Sequence, residues 1–160
     1  MAILIQNEDG TWSLYSKNGT DENCGFWGTP DKDDKAVGNY SSPEAFLDSD
    51  KNKDNDETKY TKAYVIPTTK EEDQTVRDAV KAEIDKNYYN VATANCAQLV
   101  QTGLRAIGKN DGRASVIDFA IGCDISIKLR NPHHVISRTL GPNYIFKRIA
   151  KNNPGRLIKK

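Results

Sequence analysis

The chain is short of sulfur, of imidazole and of continuous apolar sequence. Its 160 residues include three cysteines, two histidines and one methionine. Cys24, Cys96 and Cys123 are few, odd in number and widely spaced, which argues against a disulfide framework and against zinc sites of the C-x-x-C kind. The histidines, His133 and His134, are adjacent, so most His-rich metal constellations are excluded and neither a metal nor another cofactor is expected. No apolar run approaches the roughly 18 residues of a membrane span. No basic start leads into an apolar segment, so no signal peptide is expected and any export would use another route. Carboxylates are missing from one end: from Lys128 onward there are nine basic side chains and no acidic one, whereas residues 1–60 hold thirteen acidic against six basic. Such a basic end suits an anionic partner, whether nucleic acid, lipid or acidic protein, or it lies against the acidic first part of its own chain.

A chain of this length holds one domain's worth of core, so residues 1–160 are expected to form a single domain. "AILIQN" and "TWSLYS" flank Asp9-Gly10 and predict an opening β-hairpin. The Gly-, Asp- and Asn-rich stretch that follows predicts a long loop, with a short helix at "SPEAFLDS" capped by Ser42 and started by Pro43. Residues 48–58, nearly pure charge and amide, predict a disordered insertion. "KYTKAYVIP" reads as a central strand stopped by Pro67. The next segment predicts a helix, with Thr69 and Glu72 forming a capping box and Val76, Ala79, Val80 and Ile84 on one face. Cys96, Leu99, Val100, Gly103, Leu104 and Ile107 share one face of a further helix that Gly108 ends. "ASVIDFAIGCDISIKL" fits a helix broken at Gly122 or a strand pair, and "NPHHVISRTLG" fits a short helix.

With Asn95 as N-cap, Cys96 becomes the first residue of its helix, at the positive end of the macrodipole. A helix N-terminus next to an imidazole is how cysteine hydrolases hold a thiol ionised, and the same backbone N–H groups can later hold an oxyanion. Here those would be the N–H groups of Cys96 and Ala97. The competing reading is that Cys96, in register with an apolar face, is a small core residue. Cys24 and Cys123 sit beside glycine with no helix start after them and are read as structural; Trp12, Phe26 and Trp27 fit either a groove above the hairpin or the core.

The segment "YNVATANCAQLVQTGLRAIG" resembles the signature Y-N-x-x-x-x-N-C-x-x-(F/L)-V-x-x-x-L-x-x-x-G of C-terminal toxin domains in Rhs-type and other polymorphic bacterial toxins, through Tyr89, Asn90, Asn95, Cys96, Leu99, Val100, Leu104 and Gly108. Those domains belong to the circularly permuted branch of the NlpC-like, papain-like cysteine hydrolases. The resemblance covers roughly residues 1–110. It implies an α+β fold, with an antiparallel sheet packed against helices, and Cys96 as nucleophile. It also implies a catalytic His at the start of the first strand. "AILIQNEDGTW" matches the continuation of that strand, which puts the His immediately before Met1; the expectation is that the base lies there, in a longer polypeptide, or that the domain has none. The third, orienting residue would be Ser16 or Tyr15 on the second strand, and His133 or His134 is the alternative base.

The function this implies is a cysteine hydrolase (peptidase, amidase or lipid-ester acyl hydrolase) acting as the toxin module of a secreted bacterial effector, for example one of the type VI secretion system. Its substrate would be a peptidoglycan peptide, a protein or a lipid, and a cognate immunity protein would be its partner. The alternatives are a papain-like binding domain without catalysis, docking through its basic tail, and a toxin that targets nucleic acid through the same segment. The second is disfavoured by the sparse aromatics there, Tyr144 and Phe146.

Overall fold

A computed structural model of the chain describes residues 1–18, 34–53, 59–86, 88–89, 94–113 and 142–160. The architecture is mixed α+β. Among the described residues there are five helices and two small antiparallel sheets, one ordered β1-β2-β3 and one formed by β4 and β5. The opening hairpin is present as β1 (Ile3–Gln6) and β2 (Trp12–Ser16), with Ile3 opposite Tyr15 and Gln6 opposite Trp12. Its turn closes through Asn7 N–H to Thr11 O at 2.7 Å, and Gly10 takes the left-handed conformation, φ +86, that a side chain would resist. Asp9 accepts from the hydroxyl and the backbone N–H of Thr11, which holds its carboxyl below the usual range.

The expected loop after the hairpin contains a third strand, β3 (Asp34–Tyr40), paired with β2 through a register that shifts twice around Leu14. Alternation could not reveal it, because Ala36 and Gly38 both take positive φ within it. Helix α1 (Pro43–Asp48) starts as expected, with Ser42 Oγ accepting from Ala45 N–H at 3.1 Å and Pro43 in the first turn. Part of the predicted disordered insertion is structured. Residues 50–53 form the single-turn helix α2, and Asn52 is buried. The Asn52 amide donates to Leu47 O and Tyr60 O and accepts from Tyr60 N–H, so one side chain satisfies three backbone groups. Residues 54–58 lie outside the described set.

β4 (Lys62–Val65) forms where a central strand was expected, but its one described partner is β5 (Arg156–Lys159), from Lys62 opposite Lys159 to Val65 opposite Arg156. α3 (Lys70–Asp85) carries the full capping box: Thr69 Oγ1 accepts from Glu72 N–H and Glu72 accepts from Thr69 N–H. α4 (Cys96–Ala106) ends in a Schellman arrangement, with Lys109 N–H to Leu104 O at 3.0 Å and Gly108 N–H to Arg105 O at 3.1 Å, and Gly108 at φ +67. α5 (Pro142–Asn152) follows. The segments 114–129 and 131–141, for which helix or strand was expected, lie outside the described residues.

Strand alternation sends the hairpin's side chains into two apolar clusters. Ile5 and Tyr15 meet Val76, Val80, Ile84 and Leu99 on the α3–α4 side. Leu14 meets Phe46, Leu47 and Ile158 on the other. A third cluster joins α4 to α5 through Val100, Leu104, Ile145 and Ile149. α3 and α4 approach closely at Gly103, where a Cβ would stand 3.0 Å from Val76 and 3.1 Å from Val80. No helix among the described residues is long and apolar enough to cross a membrane.

Candidate active site

Asn95 builds the start of α4. Its backbone is extended, and its Oδ1 accepts from both Ala97 N–H at 2.8 Å and Gln98 N–H at 3.0 Å, satisfying two of the donors that a helix start leaves open. Cys96 is thereby fixed as the first helical residue. It is a free thiol and only half-buried, whereas the neighbouring Ala97 is 1% exposed and fills the core position.

The first strand runs directly to the thiol. The Met1 α-amino nitrogen donates to Cys96 Sγ at 3.3 Å, bridging 95 positions of sequence. The point at which β1 is entered and the point at which α4 begins are thus one place. Tyr89 stands within electrostatic reach of the same sulfur: burial pushes its phenol above the ordinary tyrosine value, and the charge of Cys96 pushes it further. A phenol held in this way remains an O–H donor throughout the neutral range.

The remaining expected site residues are placed unevenly. The Ala97 N–H, expected to share in an oxyanion hole, is already donated to the Asn95 cap. The Cys96 N–H is donated to none of the described residues, so it is the backbone donor left at the thiol. Ser16 is buried, accepts from Asn18 Nδ2 at 3.0 Å, and by alternation shares the strand face of Leu14, away from α4. Tyr15 lies on the α4 side, but within the core beside Leu99. Trp12 is partly exposed at the start of β2. His133, His134, Cys24, Cys123, Asn90, Phe26 and Trp27 lie outside the described residues. No group of three or more His, Cys, Asp or Glu side chains able to hold a metal ion stands together among the described residues.

Two features escaped sequence reasoning. Tyr89 was visible only as a motif position, and nothing local marks it as a neighbour of the thiol. Lys17, charged and adjacent to a glycine-rich loop, reads as solvent-exposed, yet its side chain is fully buried. Its Nζ donates to Glu83 O at 2.6 Å and stands 3.7 Å from Glu83 Oε1, pinning β2 to the C-terminal turn of α3. The basic end of the chain does meet the acidic first part: Arg156 pairs with Glu44 at 2.9 Å, and Lys160 bonds Asp48.

Comparison with protein-family models, curated proteins and solved structures finds no match to this chain.

Proposed function

We propose that the chain is a papain-like cysteine hydrolase of the permuted NlpC-like kind, the toxin module of a bacterial effector, with Cys96 as its nucleophile. The observation that carries this reading is the meeting of strand start and helix start at Cys96 Sγ, 3.3 Å from the Met1 nitrogen. In the resembled family the catalytic imidazole enters at the start of that strand. Whatever side chain precedes Met1 in a longer polypeptide would begin beside the sulfur, within the reach a general base needs. The Cys96 thiolate attacks an ester or amide carbonyl, the Cys96 N–H is the backbone donor available to the developing oxyanion, and the base returns its proton to the leaving group. Asn95 holds the helix start that sets the sulfur's position. A cognate immunity protein would act by covering Cys96, and a complex that buries a surface far from Cys96 would contradict that part of the reading.

The test is alkylation of Cys96 by iodoacetamide against pH, followed by mass spectrometry, on residues 1–160 and on a chain extended by its native upstream residues. The expected result is modification at pH 6 to 7 well above that of an ordinary thiol of pKa about 8.5, increased further by the extension. A thiol equally slow in both chains would overturn the assignment.

A further inference from the structure

The strand pair β4–β5 has two unlike faces. By alternation Ala63, Val65 and Ile158 share one side, where they pack against Leu14, Phe46 and Leu47. The other side carries Lys62 and Tyr64 from β4 and Leu157 and Lys159 from β5, with Tyr64 opposite Leu157 and Lys62 opposite Lys159. Leu157 is 44% exposed.

The lysine pair is the anomaly. Residues directly opposite in an antiparallel pair have Cβ atoms about 4.5–5.5 Å apart, and like charges there are destabilising. Neither lysine is paired with a carboxylate among the described residues, although the neighbouring Arg156 and Lys160 both are. Lysine on an open strand edge hinders pairing with another chain, but that does not call for two ammonium groups face to face. An anion between them would relieve the repulsion.

Lys62, Tyr64, Leu157 and Lys159 all line a cavity of about 1010 Å3 that runs on between β1, α1, α4 and α5. That is at the upper end of the range for small-molecule sites, roughly 300–1,000 Å3, which are concave and mostly apolar. Its basic groups come from one side. Lys59, Lys62 and Lys159 belong to the β4–β5 pair and the approach to it, and Lys147 to α5, whereas β1, α1 and α4 contribute only apolar side chains, among them Ile3, Phe46, Val100 and Leu104. Lys59 and Lys147 are likewise exposed and without a carboxylate partner among the described residues. Asp73 is the single carboxylate in the lining, and it accepts from the Thr68 hydroxyl at 2.6 Å. Cys96, Asn95 and Tyr89 are not part of the lining, so this space is separate from the thiol.

We propose that the cavity is a binding site for a free long-chain carboxylate, a single-chain anionic amphiphile held without any covalent step. The hydrocarbon chain lies along the apolar walls of β1, α1 and α4, and the carboxylate sits between Lys62 and Lys159. An acidic peptide would present charges along its whole length, whereas the basic groups here stand at one side of an otherwise apolar enclosure. The site does not depend on Cys96 being a nucleophile.

The experiment uses the full chain and the fluorescent fatty acid cis-parinarate, titrated directly and then displaced by hexanoate, laurate and dodecyltrimethylammonium. One parinarate should bind per chain, in Cys96→Ala as in the parent, so the outcome is independent of the alkylation test of the thiol. Each methylene that enters an apolar wall is worth about a factor of four, so laurate should displace at least about tenfold better than hexanoate. A unit charge at about 4 Å in water is worth about a factor of five, so laurate facing two lysines should also exceed the cationic amphiphile at least about tenfold. Lys62→Glu should have two effects of opposite sign: a carboxylate opposite Lys159 should raise the midpoint of thermal denaturation, while laurate binding should weaken at least about fivefold. Combining Lys62→Glu with Lys159→Glu restores a like-charged pair, so the midpoint should fall back toward that of the parent and the preference should turn to the cation. Absence of saturable parinarate binding, or binding indifferent to head-group charge in parent and variants alike, would overturn the proposal. So would flotation of the chain with phosphatidylglycerol vesicles in the absence of parinarate binding, which would make the lysines a membrane-facing patch.

Discussion

Asn95 does two jobs with one oxygen, so it is the side chain whose loss should be felt both in stability and at the sulfur. Replacement by alanine removes both cap bonds and should cost about 1–2 kcal/mol, measured by urea denaturation, while Asn95→Asp should retain most of that. Tyr89 gives a pH signature. Its phenol is raised by burial and then by the charge on Cys96, so the stability it contributes is fully present below the ordinary value of about 10 and is lost as pH rises through the raised folded value. The difference in ultraviolet titration between the protein and Tyr89→Phe should place this phenol above about 10. In Cys96→Ala it should move partway back, since burial remains; an identical titration in both backgrounds would show that sulfur and phenol do not interact. The cap was legible because an Asn preceded an apolar period, which is local information. The contact of Met1 with the sulfur and the electrostatic influence of Cys96 on Tyr89 were not, because no short-range pattern specifies them; the Met1 contact spans 95 positions.

The packing of α3 against α4 depends on a missing side chain. At Gly103 a methyl group would meet Val76 and Val80 at 3.0–3.1 Å, tight but open to small adjustments, and alanine also favours the helix. Gly103→Ala should therefore be close to neutral in thermal denaturation, whereas Gly103→Leu should lose about 1–3 kcal/mol through overpacking. Both long helices could be read from the chain because each has a cap and a 3.6-residue apolar period: Thr69 with Glu72 for α3, Asn95 with Gly108 for α4. β3 and β5 could not. Within β5 only Ile158 is buried, so no alternation exists to detect, and β3 is bent by two residues of positive φ. The same lack of local signal made β4 look central, since its apolar residues are covered by α1 and β5 and not by a second neighbour in a larger sheet.

The lopsided charge of the chain is partly cancelled by its fold, as the basic C-terminal strand lies over the acidic segment at Glu44 and Asp48. These pairs are exposed and screened by salt, so they set register more than stability. The larger contribution of that strand is Ile158, buried at 8% exposure beside Leu14, Phe46 and Leu47. Ending the chain before Arg156 should thus lower stability by at least about 2 kcal/mol, the low end for deleting a buried aliphatic side chain. Addition of 1 M salt to the intact protein should have a much smaller effect; equal losses in the two denaturation curves would reverse this ranking. The pairing of β4 with β5 also fixes a schedule. Lys62 to Val65 leave the ribosome more than ninety residues ahead of the strand they pair with, and pairings of such separation form late and slowly. The hairpin and α3 can assemble during synthesis, but the β4–β5 sheet and the apolar cluster around Ile158 close only when residues 156–159 emerge, so a partly made chain carries Cys96 before that side of the core is covered.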